Sequence, residues 1–136
     1  MSSYEFDVCL VVESESITLA DLAARIGVEP SDGSHNIGDP HILKSRGTWE
    51  STVWQCCSEC PRVTSIEEQF KALARRFPAE ALQTPQVLPL LSLKYISIGV
   101  FTDAQTPTVE LTSVCFDIAK AYDATIEIKL YPSDMT

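Results

Sequence analysis

From Tyr4 to Glu13 the chain alternates, with Phe6, Val8, Leu10 and Val12 on one face and Glu5, Asp7, Cys9 and Val11 on the other. This two-residue period predicts a first strand. Leu93 to Phe101 repeats the pattern, with Ile96, Ile98 and Val100 facing one way and Tyr95, Ser97 and Gly99 the other. β-Branched and aromatic residues dominate this stretch and no proline interrupts it. A strand apolar on one face and mixed on the other suits the middle of a sheet covered by helices on one side. Trp49 to Gln55 reads as a shorter strand, with Trp49 and Val53 on one face and Trp54 on the other. Ala124 to Tyr131 reads as the last strand, with Ala124, Ile126, Ile128 and Leu130 inward.

Helical spacing fills the gaps between strands. Thr18 opens a first helix with Asp21 as its capping-box partner; Leu19, Leu22, Ala23 and Ile26 line it, and Gly27 ends it. Ser65 and Glu68 cap a second helix with the stripe Ile66, Phe70, Leu73, Ala74 and Phe77, stopped by Pro78. Thr112 or Ser113 begins a third, with Cys115, Ile118, Ala119 and Tyr122 inward. Val28 to Thr48 is a long connection rich in Gly, Pro, Ser and Asp, and Pro78 to Leu91, with three prolines, winds over the surface.

Residues 6–29 and 96–123 share a strand, turn, helix order. Two such strand–helix–strand units, interleaved, predict an α+β fold over residues 1–136. The expected layout is a ferredoxin-like, four-stranded antiparallel sheet with helices on one face and an extra inserted helix. The expected strand order is fourth, first, third, second. A doubly wound parallel sheet is the alternative; it would want more strands and a Gly-rich first turn.

Charge changes the list of partners. Nineteen acids against ten Lys plus Arg leave a net charge of −9. That disfavours nucleic acid, whose phosphates demand basic groups, and favours a basic partner. Of five cysteines, Cys9 and Cys115 sit in apolar runs, so both are expected buried, reduced and unpaired. The N-terminus has no basic region leading into an apolar core, and no apolar stretch approaches the ~20 residues of a membrane span. The expected setting is the cytoplasm, with no membrane contact and no cofactor.

Several motifs in order resemble a bacterial domain-of-unknown-function family of small proteins. They are Ile26-Gly27-Val28-Glu29-Pro30 after the first helix, Gly38-Asp39-Pro40, Gly47-Thr48-Trp49, a Glu-rich second helix, and the end from Leu111-Thr112 to Ile128-Lys129-Leu130-Tyr131. The resemblance covers nearly the whole chain, which departs from the pattern at Cys56-Cys57-Ser58-Glu59-Cys60 and in the proline-rich stretch. Some members look like immunity proteins that neutralise secreted toxins, so the resemblance implies a binding role.

No stretch forms a specific catalytic motif. Cys57 and Cys60 have the spacing of a zinc half-site or redox pair, but no second paired-cysteine motif completes it, and incidental thiols are the simpler reading. His35, Asp39 and His41 are candidate ligands or an acid–base pair, against solvated loop histidines and a turn-forming Asp. Lys44 and Arg46 lack the strand–loop–helix context of a phosphate loop. Trp49 is expected to anchor the core, and Trp54 to emerge on the opposite sheet face beside Tyr95, Tyr131, Asp7 and Glu127, unless a segment covers that face. The leading expectation is a non-enzymatic module, of immunity type, that binds a basic toxin through Trp54, Tyr95, Tyr131, Asp7, Glu127, Asp39 and Arg46; a homodimer is left open. The rival is a small ligand- or metal-binding protein or enzyme using the loop from His35 to Arg46.

Overall fold

The computed structural model describes residues 3–41 and 47–132. The strands are β1 (Tyr4–Ser14), β2 (Thr52–Cys57), β3 (Leu93–Thr102) and β4 (Thr125–Pro132). The helices are α1 (Leu19–Ile26), α2 (Ile66–Arg76) and α3 (Ser113–Tyr122). The caps are those the sequence predicts at α1 and α2: the Thr18 and Ser65 hydroxyls accept from the Asp21 and Glu68 N–H groups, and Gly27 closes α1 in the left-handed region at φ 85°. At α3 the Thr112 hydroxyl instead donates to Glu67 on α2, at 2.6 Å, tying the two helices together. That bond holds the Glu67 carboxyl below its usual range.

The fold is α+β with a four-stranded sheet, and the expected central pair, β1 and β3, is correct. The edges are not as expected. The order is β2-β1-β3-β4, and β3 pairs with β4 in parallel, so the sheet is mixed rather than antiparallel and departs from the ferredoxin-like layout. Three connections cause this. Ser14 pairs with Thr52, so the long loop after α1 carries the chain back to the end where β1 finished, and β2 returns alongside β1. α2 carries the chain from β2 past β1 to β3, which runs the same way as β2 without adjoining it, and α3 bridges β3 and β4, the one pair of parallel neighbours.

The core lies between the helices and the sheet face carrying Val8, Leu10, Val12, Ile96, Ile98 and Val100. Trp54 belongs to this core. It is fully buried, 5.1 Å from the Phe77 ring, and its indole N–H donates to the Val28 carbonyl. The expectation of an exposed Trp54 is therefore reversed. Its grouping against Trp49 and Val53 was correct, but Val12 pairs with Trp54, and the helix-facing side of β1 fixes the side that Trp54 takes. The proline-rich segment is less superficial than expected: it makes two short 3-10 turns, and it buries Leu82 in the first and Val87 just before the second. On β4 the nominally inward Ile128 and Leu130 stay 45% and 56% exposed, because an edge strand is only partly roofed.

One buried polar group organises the lower end of the sheet. β2 stops at Cys57, leaving the β2 side of β1 without a strand partner below Cys9. There the Ser58 N–H donates to the Val8 carbonyl and the Phe6 N–H to the Arg62 carbonyl. Between them the amide of Gln69, on α2, fills the gap: its oxygen accepts from the Val8 N–H at 3.1 Å and its NH2 donates to the Phe6 carbonyl at 2.9 Å. The same amide accepts from the Ser58 hydroxyl and donates to the Thr64 carbonyl.

Gln69→Leu keeps the volume but orphans buried partners, and is expected to lower the unfolding free energy by about 2–5 kcal/mol. Denaturant unfolding checks this; a loss within the noise of the measurement rejects the role given to Gln69. Trp54→Ala opens the centre of the core and is expected to cost about 3–5 kcal/mol in the same assay. A near-silent Trp54→Ala would mean that the indole does not fill the core.

Candidate functional site

The other sheet face carries the alternate residues: Glu5, Asp7, Cys9, Val11 and Glu13 on β1, Val53, Gln55 and Cys57 on β2, Tyr95, Ser97, Gly99 and Phe101 on β3, and Glu127, Lys129 and Tyr131 on β4. Its β2 side is covered by the loop. The Ser31 N–H donates to the Gln55 carbonyl, His35 bridges Val53 in both directions, and Ser31 and Ser34 hydroxyls accept from the Cys57 and Gln55 N–H groups. These bonds complete the outer edge of β2 as a further strand would. The loop has its own aromatic centre: Trp49 lies between His35, at 4.2 Å between rings, and His41, at 4.6 Å. Trp49 packs with Cys9, Val11, Val53 and Tyr95 on this face, so it anchors the loop and not the main core.

The β3–β4 half of the face stays open. A trough of about 420 Å³ runs over it, lined by Asp7, Cys9, Gln55, Ser97, Gly99, Phe101, Lys129 and Tyr131. Gly99 forms part of the floor, where an added Cβ would lie 3.4 Å from the Phe101 ring. Phe101 stacks on Tyr131 at 5.0 Å, and the Arg62 guanidinium sits 4.2 Å from the Phe101 ring centre. Lys129 Nζ lies 5.9 Å from the Tyr95 ring. Burial, with Glu13 and Glu127 nearby, pushes the Tyr95 phenol up. The walls are thus aromatic and the rim is charged.

The expected site residues fare differently. Tyr95, Tyr131, Asp7 and Glu127 share this sheet face, with Tyr95 in the part packed beside Trp49. Trp54 does not, being in the core. Asp39 shapes the loop: its carboxylate accepts from the Asn36 N–H and its carbonyl from the Trp49 N–H. Arg46 and Lys44 lie outside the described residues. Phe101 and Arg62 were not singled out from the sequence; Phe101 closes the predicted strand, but nothing local places Arg62 over it.

Cys9 is not the free thiol that was expected. It is disulfide-bonded to Cys57. The two are paired directly across β1 and β2, and the Cys57 N–H points outward to Ser31, so they form the non-hydrogen-bonded kind of pair, in which side chains approach most closely. Cys115 and Cys56 are buried free thiols and Cys60 is half-buried. Burial pushes the Cys56 thiol up, against the lowering effect of Arg76. Asp7, Cys9 and Cys57 form the one cluster of metal-ligand atoms among the described residues, but its two sulfurs are joined to each other. Neither histidine belongs to such a cluster.

No family model, curated protein or solved structure matches the chain.

The bond spans 48 residues of sequence, including α1 and the whole loop. Cys57→Ser is expected to lower the unfolding free energy by about 2–4 kcal/mol, chiefly by freeing the unfolded chain. Reductant should lower the wild type by a similar amount and leave the variant unchanged. Wild-type unfolding that ignores reductant would show that the pair contributes no stability.

Proposed function

We propose that this protein is a non-enzymatic binding module whose partner, a basic protein, docks on the open β3–β4 half of the sheet face. The observation that carries the reading is the trough itself. It is a broad, shallow surface with a rigid aromatic wall, Phe101 and Tyr131, and with the carboxylates of Asp7 and Glu127 beside it. Aromatic groups held on sheet strands lose little freedom on binding and supply most of the energy in protein interfaces. The net charge of −9 adds long-range attraction for a basic surface. Together with the motif resemblance, this supports an immunity-type role in which the module blocks a toxin by covering it. The setting proposed with it is cytoplasmic. Lasting disulfides are rare there, and the Cys9–Cys57 bond speaks against that setting. The rival reading, a ligand or metal site on the loop, is weakened because both histidine rings stack on Trp49.

A partner copurified from the native host provides the test. Tyr131→Ala is expected to weaken its binding by about 1–3 kcal/mol, and the association rate should fall as salt rises. The wild type, but not Tyr131→Ala, should restore growth to cells producing that partner. Unchanged affinity in both Phe101→Ala and Tyr131→Ala would remove the trough from consideration.

A further inference from the structure

The two edges of the sheet are finished differently. β2 is sealed by the loop, through Ser31, Ser34 and His35. β4 has β3 on one side and, among the described residues, no strand on the other. It is a regular eight-residue strand, unbroken until Pro132, and it leaves Ile128 and Leu130 largely exposed. Such an edge is a template for pairing unless it is short, bulged or guarded.

The sequence of this edge is self-complementary. We propose that β4 pairs with β4 of a second copy in an antiparallel, two-fold manner centred on Ile128, making one continuous eight-stranded sheet. In that register Glu127 lies directly opposite Lys129 of the second copy, and Lys129 opposite its Glu127. On the helix side Ile126 meets Leu130, and Ile128 meets itself across the axis. Opposite charges directly across a ladder stabilise it and like charges oppose it. Centring the axis on Glu127 would set two glutamates face to face, and centring it on Lys129 would set two lysines face to face. Of these three registers only the one centred on Ile128 sets opposite charges across the ladder, and the two-fold keeps the helix layers of both copies on the same side. The apolar row Ile126, Ile128 and Leu130, half-roofed in one copy, becomes a continuous strip covered by its counterpart. Glu127 and Lys129 also border the trough, but the readout here is the mass of the purified protein alone, so it is separable from partner binding.

Sedimentation and light scattering over a concentration series test it. The wild type is expected to run at twice the chain mass. Glu127→Lys and Lys129→Glu each place like charges opposite one another twice, and each should weaken dimerisation by at least about tenfold. Both positions are exposed, so neither change should disturb the fold, which unfolding curves will check. The combined Glu127→Lys, Lys129→Glu variant restores both pairs and should recover the dimer. A wild type that stays monomeric at its solubility limit overturns the proposal. So does a dimer indifferent to both single reversals, or a double reversal that fails to recover it.

Discussion

The side-chain amide of Gln69 stands in for a missing length of strand. Below Cys57 the sheet has no β2, yet β1 continues and must satisfy its N–H and C=O groups away from water. A glutamine amide has the same donor and acceptor as a peptide group, and Gln69 presents both to Val8 and Phe6 while using its remaining capacity on Ser58 and Thr64. Because Gln69 belongs to α2, the bonds that extend the sheet also fix the height and rotation of the helix over it. That position sets where Phe70, Leu73 and Phe77 enter the core, and Phe77 in turn meets Trp54 and Tyr122.

Fixing α2 has a consequence on the opposite side. With the three helices gathered over one face, covering of the other falls to the loop after α1. The loop is held by backbone bonds to the β2 edge and by the stack of His35, Trp49 and His41, and its cover reaches across Cys9 and Val11 to Tyr95 on β3. Beyond it the strands hold Asp7 and Phe101 half-buried and Tyr131 and Glu127 exposed. The open trough is thus what remains when one face receives all the helices and the other receives one loop.

The covalent link falls at the boundary between these regions. Cys9 ends the loop-covered patch, and Cys57 is the last residue of β2 before Gln69 takes over. The Cys9–Cys57 bond therefore closes the ladder at the point where strand pairing stops. Arg76 reinforces the same corner, donating to the Cys57 carbonyl and pairing with Glu59 at 2.6 Å, though that pair is partly exposed and contributes little by itself.

Local physics made much of this legible from the amino acids. Alternation found all four strands, though β2 runs Thr52–Cys57 rather than starting at Trp49; hydroxyl caps and Gly27 placed the helix ends, and the apolar sides of β1 and β3 were correct, because each depends on neighbours within a few residues. The membership of Tyr95, Tyr131, Asp7 and Glu127 in one mixed face followed from the same period. Chain-wide geometry decided the rest. Periodicity says that Trp49 and Trp54 point opposite ways, but which one meets the helices depends on the register with β1. Helical spacing shows a polar Gln69 three residues after Ile66 on an apolar stripe, but its meaning appears only once β2 is seen to stop short. Strand order was misread because a repeat of element types carries no record of which way a long loop returns. The Cys9–Cys57 bond was missed for a related reason: two cysteines 48 residues apart become neighbours only through a strand register that no local pattern encodes.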